Sequence, residues 1–481
     1  MLFNSVEFLV FFPVVAVAVL ALPLKPRNLF LLGRSIYFYM SWEPKYILLI
    51  GFSVFVTWLG ALLIEKFHRE EKKKRKKFAF ITSLVLNLAV LFVYKYYDFF
   101  ADNVNSLLGG SYLPFLKVIL PIGISFYTFQ VMGYVIDVYE GKMPAEKNFF
   151  TYSLFISFFP QLVAGPIERA ENLLPQFYKK HNFDYKRVTD GLVLMAWGFF
   201  KKLVVADSVA AIVNTVYNDV TSYTGISLVI ATVLFAFQIY GDFSGYSDIA
   251  RGAALVMGFK LMANFKRPYI SKSLTEFWTR WHISLSGWFQ DYIFQPIVWY
   301  SKNPGRAVYV AVFTVFIISG FWHGAAWTYV IWGLLHAALR AFEIVTKKAK
   351  KKLYKKLGVN TKGKVYGAFR IVTTFILVCF TYIFFRANSI SDALYVAGNL
   401  FAGGALMPSL DRMGYFTNNG PMLTLCILFM LLVEKWCGDG ELTDRINKSS
   451  FLIRWGFYYT VMLLIIFFGW FGQSQFIYFQ F

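Results

Sequence analysis

The chain has 481 residues, 57% of them hydrophobic and 20% aromatic, with only 16% charged. A water-soluble protein of this length needs far more polar surface, so that class is excluded. The formal net charge of +21 would point to nucleic acid in a soluble chain, but here the basic residues lie in short segments between apolar runs, where they set orientation and meet anionic headgroups, so no nucleic-acid partner is expected.

Taken in chain order, mostly apolar runs occupy residues 8–24, 46–64, 78–93, 226–240 and 455–471. Runs of this length are the signature of membrane-spanning helices. The first has no basic stretch before it and no small-residue cleavage site after it, so it reads as a retained span. The basic segments 25–27, 66–77, 179–187, 260–272 and 347–364 face the cytoplasm by the positive-inside rule. The segments 98–112, 218–225 and 387–420 are poor in basic residues and face out. Their alternation predicts about 11–12 transmembrane helices, with both termini outside the cytoplasm. Residues 148–165 and 271–297 each lie between inward-facing segments, so both are expected to enter and leave on one face. Such backbone is tolerated at membrane depth only inside protein or along a cavity. No internal repeat and no long linker is visible, which predicts a single domain over residues 1–481 and an all-α polytopic, multi-pass membrane protein.

Five histidines are present. His68 and His181 fall in basic segments and read as solvated surface residues. The other three lie in or near apolar sequence, where an ionisable side chain is costly and therefore a functional candidate. His323 sits in Ser319-Gly320-Phe321-Trp322-His323-Gly324, after an apolar stretch at 307–318 that looks too short to cross. Gly320 and Gly324 permit a tight reversal there. An imidazole deprived of water stays neutral, as a general base must be; a packed histidine satisfied by a neighbouring helix is the competing reading. His282 sits in Phe277-Trp278-Thr279-Arg280-Trp281-His282-Ile283-Ser284-Leu285-Ser286. On one helix Trp278, His282 and Ser286 would share a face, and an interfacial amphipathic helix is the alternative. His336 follows His323 by 13 residues, about 20 Å along a helix, too far to share a small site, and reads as structural. The cluster Tyr240-Gly241-Asp242-Phe243-Ser244-Gly245-Tyr246-Ser247-Asp248 reads either as a broken helix lining a cavity or as a loop at the inner surface. Cys379, Cys426 and Cys437 fit no metal or disulfide spacing and read as inert buried thiols.

The block Phe277 to Ser286, followed by Trp288-Phe289 and Asp291-Tyr292, resembles the signature of the membrane-bound O-acyltransferase (MBOAT) family. Asp242 to Asp248, Gln161-Leu162-Val163-Ala164-Gly165-Pro166-Ile167 and Phe321-Trp322-His323-Gly324-Ala325 resemble other family segments, in the family's order. The similarity extends to the alginate O-acetyltransferase branch and to the D-alanyl transferase of teichoic acid modification. After Tyr292 the chain reads Ile293-Phe294-Gln295-Pro296, where alginate-type members often carry a glycine-rich stretch, so alginate itself is not implied.

The resemblance implies an MBOAT fold around a central tunnel in a bacterial cytoplasmic membrane. It implies His323 as the principal catalytic histidine and His282 as its partner, with Asp242, Ser244, Tyr246, Trp278, Arg280, Trp281, Ser286 and Trp322 lining the tunnel or the donor site. The donor would be acetyl-CoA or an acyl carrier protein, and the acceptor a polysaccharide hydroxyl outside the cytoplasm. No metal and no tightly bound cofactor is implied. Residues 476–481, Phe-Ile-Tyr-Phe-Gln-Phe, resemble the aromatic end of a small D-alanylation protein. That likeness makes Tyr478 a candidate acyl relay to an extracytoplasmic SGNH-type partner. D-alanyl transfer to teichoic acid is the alternative within the class, and a transporter the alternative outside it.

Overall fold

The computed structural model describes residues 1–163 and 165–472, and Tyr478 with the rest of the 476–481 motif lies outside the described residues. Helix is the dominant structure of those residues, with no strand among them. Eight of the helices in the described residues are long and apolar enough to cross a membrane, fewer than the sequence count. The apolar helix Val6–Ala21 is shorter, at 16 residues.

Contacts sort the chain into two compact units. The first comprises Met1–Met195 and Tyr246–Ala263, and the second Ala196–Gly245 and the described residues from Asn264 on. In the first unit Phe3, Phe8, Phe11, Phe38 and Phe159 build an aromatic core, with Phe3 stacked on Tyr246 at 4.6 Å. Arg27, read from sequence as an orientation signal in a loop, instead lies in the helix Leu24–Met40 and is 1% exposed. Its guanidinium donates to the carbonyls of Lys179 (2.8 Å) and Phe177 (2.9 Å). It thereby satisfies the carbonyls left open where the helix Ala170–Phe177 ends. Residues 148–165 form two short helices, Phe149–Ser157 and Phe159–Leu162, neither able to cross.

Three expectations need correction. Tyr240 to Asp248 is neither a break nor a loop, because Ile226–Val256 is one continuous helix. Its polar residues are held by packing: a Cβ on Gly245 would lie 2.7 Å from the Gly198 carbonyl and 2.9 Å from the Lys202 nitrogen, so small residues let two backbones touch. The outward segment at 98–112 is not all loop. Helix continues through a π turn at Phe92–Tyr96 to Leu108. The apolar stretch at 307–318 belongs to the full-length helix Pro304–His323, because Pro304 at its first turn and Asn303 as cap start it earlier.

Pro304–His323 and Trp327–Lys356 form a hairpin in the second unit. A Cβ on Gly333 would collide with the Phe316 carbonyl and lie 3.5 Å from the Gly320 Cα. Gly333→Ala is therefore expected to cost about 1–3 kcal/mol through overpacking. Gly51→Ala, at an exposed helical site with nothing within 4 Å, should stabilise by about 0.5–1 kcal/mol. Melting in detergent reads both signs.

The same unit buries an ion cluster. Lys202 lies 2.8 Å from Asp207 and 2.6 Å from Asp242, with all three side chains at most 5% exposed. Lys202→Met removes the cation facing two buried carboxylates and should destabilise by about 3–5 kcal/mol, whereas Lys72→Met, which breaks the exposed pair with Glu70, should cost about 1 kcal/mol or less.

Candidate functional site

The site grows from the hairpin. His323 is the last residue of Pro304–His323, only three residues separate it from Trp327, and the returning helix carries Trp332 and His336. The chain thus doubles back, and the helical spacing that seemed to part His323 from His336 does not apply. Both imidazoles lie against the Trp332 indole, at 4.9 Å each. On the other side His323 packs on Trp322 at 4.9 Å, and Trp322 meets His282 at 5.6 Å. The result is a file of alternating rings, His282–Trp322–His323–Trp332–His336. The three histidines are 0%, 3% and 0% exposed respectively.

His282 reaches this file by a break, not by a helical face. The helices Leu274–Arg280 and Ile283–Phe289 are separate, and Trp281 and His282 link them. His282 adopts φ +43°, ψ +55°, a left-handed conformation that costs a side-chain-bearing residue about 1–3 kcal/mol. The kink is held by Asn264, whose carbonyl accepts from the Ile283 amide at 2.9 Å and whose side chain accepts from the Ser284 hydroxyl at 2.7 Å. The ring of His282 stands edge-on to Phe243 at 4.6 Å. The expectation that Trp278, His282 and Ser286 share one helical face is therefore wrong.

The other candidates divide. Trp278 joins the file, meeting His336 at 5.0 Å and Trp332 at 5.9 Å. Trp281 stacks on Phe277 and contacts Tyr240 and Tyr269 in a neighbouring aromatic wall. Ser286 donates to the Trp281 carbonyl at 3.2 Å and so braces the break. Arg280 pairs with Glu276 and, together with Arg267, with Asp439. The Arg267 guanidinium, aided by Arg280, holds the Asp439 carboxyl below the usual carboxylate range. Asp242 is engaged by Lys202. Ser244 is buried, with no hydrogen bond to its hydroxyl among the described residues. Tyr246 belongs to the first unit, where it stacks on Phe3.

Sequence reasoning passed over His336 and Thr381. The Thr381 hydroxyl donates to the Val378 carbonyl (2.7 Å) and lies 2.9 Å from His336 Nε2. With that proton committed, the hydroxyl accepts, which assigns the His336 proton to Nε2. Glycines at 320, 324 and 333 around Ala325-Ala326 were the signal of a tight hairpin that brings the two histidines together.

A profile of the membrane-bound O-acyltransferase family matches residues 36–385. A Pseudomonas aeruginosa protein named "Probable alginate O-acetylase AlgI" is 37% identical over 385 residues, 79% of this chain and 70% of the relative. A Helicobacter pylori peptidoglycan O-acetyltransferase is 34% identical over 400 residues, 78% of this chain and 73% of its own. A Bacillus subtilis teichoic acid D-alanyltransferase is 28% identical over 348 residues, 70% and 85% of the two chains. With its apolar helices, its buried histidine file and this match over most of its length, the chain belongs to the MBOAT family and is a multi-pass membrane O-acyltransferase.

Proposed function

We propose that the protein transfers an acetyl group from cytoplasmic acetyl-CoA to hydroxyls of an envelope or exported polysaccharide, with His323 as general base. The observation that carries this reading is the position of His323 at the centre of the ring file, with an indole on either side. Such walls keep bulk water from the imidazole, so an acyl group handled there is shielded from hydrolysis. In the reaction the imidazole takes the hydroxyl proton as the oxygen attacks the thioester carbonyl. The tetrahedral intermediate then collapses, the C–S bond breaks, and the leaving thiolate recovers the proton from the imidazolium. His282 orients the thioester or stabilises the oxyanion. His323 is 3% exposed, so the aromatic rings must part to admit donor and acceptor.

Acetyl is preferred over D-alanyl because the relatives named O-acetylases match at 34–37% identity, against 28% for the B. subtilis D-alanyltransferase. That match keeps a D-alanyl group on a carrier protein as the second reading. On either donor, Tyr478 can accept the acyl group first. Its phenol, of ordinary pKa about 10, would form an activated aryl ester for an SGNH-type partner's serine.

Purified protein incubated with radiolabelled acetyl-CoA and polysaccharide should transfer label. His323→Ala should reduce transfer by about 10²–10⁴-fold while melting close to wild type; full activity in that variant would overturn the base assignment. Tyr478→Phe separates the routes. A relay requires loss of covalent label on the protein together with loss of acylation of the polymer. Unchanged polymer acylation would mean direct transfer.

A further inference from the structure

The lysine-rich run that follows the ring-file hairpin is not simply a solvated loop. Residues 347–356 form the last turns of the helix Trp327–Lys356, and their lysines divide by face. Lys347, Lys350, Lys351 and Lys355 line a cleft of about 1150 Å³, whereas Lys348, Lys352 and Lys356 do not. Positions three, four and eight apart fall on one helical side. Arg340 also lines the cleft, paired with Glu343, while Lys272 and Arg370, from two other segments of the same unit, join the four lysines. None of these six makes an ion pair among the described residues. The one acid in the lining, Glu343, is already held by Arg340 at 2.5 Å and by the Thr275 hydroxyl at 3.0 Å.

The rest of the lining mixes hydroxyl side chains, such as Ser273 and Thr373, with an apolar wall that includes Leu339, Phe342, Ile344, Phe369 and Leu377. Phe342 and Phe369 are 59% and 63% exposed, and they sit on two membrane-spanning helices, Trp327–Lys356 and Lys364–Arg386. The wall continues outward through Val345, Val372 and Ile376, all more than half exposed. The cleft therefore joins a lipid-facing surface to a group of cations that have no acidic partner among the described residues, although Lys350 and Arg370 lie over the rings of Phe342 and Tyr366.

We infer that this cleft is a binding site for an anionic phospholipid, with its phosphate among Lys347, Lys351, Lys355 and Arg370 and its acyl chains along Phe342 and Phe369. An orientation signal needs only the number of charges near the helix end. It gives no reason for the charges to converge on one face around a greasy wall, whereas basic pockets between spans on the cytoplasmic side suit acidic headgroups. A soluble nucleotide would satisfy the cations but make no use of the lipid-facing rings beside them, whereas one phospholipid engages both. The site also has a reach into the protein. Leu339 lies three residues after His336, and Leu377 four before Thr381. A bound lipid therefore braces the two helices that the His336–Thr381 hydrogen bond joins.

The full chain, purified in a neutral detergent and stripped of lipid, should melt higher with phosphatidylglycerol in a saturable manner, and not with phosphatidylcholine. The triple variant Lys347→Gln/Lys351→Gln/Arg370→Gln should retain at least tenfold less phosphatidylglycerol per chain by native mass spectrometry. Lys73→Gln/Lys74→Gln/Lys77→Gln, which loses the same charge from another basic run, should bind as wild type. Equal protection by phosphatidylcholine, or equal loss in the two triple variants, would overturn the site. Displacement of the lipid by adenosine 3′,5′-bisphosphate would reassign the cleft to a soluble phosphate donor. Should the cleft triple variant aggregate, Lys351→Gln and Arg370→Gln are compared singly, and wild-type lipid retention in both folded variants would equally refute the assignment.

Discussion

Two helices that touch backbone to backbone set the geometry of this protein. Phe316 and Gly333 leave no room for a β-carbon between them, and this contact fixes the depth at which Trp327–Lys356 returns past Pro304–His323. From that depth follow the position of Trp332 between His323 and His336 and the seating of Phe385 against both His323 and Trp332. Trp278 also meets the pair from its own short helix. A hairpin one residue out of register would turn each ring to another face, because a residue shift rotates a helix by about 100°.

Much of the fold was legible because hydropathy and charge act locally. The run at 226–240 falls within the long helix found there, and those at 46–64 and 455–471 largely overlap Ile47–Arg69 and Phe451–Phe468, while His282, Trp322 and His323 of the two Trp-His pairs fall in the ring file. Interactions distant in sequence were not legible. The polar block from Asp242 to Asp248 looked like a break because local pattern cannot see Lys202, which neutralises Asp242 from another segment. Arg27 looked like a loop charge because the carbonyls it satisfies lie some 150 residues away. The block around His282 looked like one helix because nothing local announces that Asn264 will capture the Ile283 and Ser284 groups and turn the chain. His336 was set aside on a distance that assumed a straight helix, which Gly324 and the two alanines after it interrupt.

The polar groups of the second unit follow a common logic. Lys202 sits in a π-helical stretch, Phe200–Ala206, where the extra residue per turn shifts the side chains that follow. That shift lets one lysine face two carboxylates on different helices. In the same unit, Arg267 and Arg280 share Asp439 at an exposed edge. The first cluster is dry and costly to break; the second is wet, screened by salt and cheap to open.

The left-handed backbone of His282 has a consequence for substitution. Glycine or asparagine would occupy that turn with less strain, so replacing the histidine would relax the kink while deleting an imidazole from the ring file. Glycine would also leave a void between Phe243 and Trp322, so ease of backbone and fullness of packing pull this position in opposite directions, and histidine marks where the second prevails.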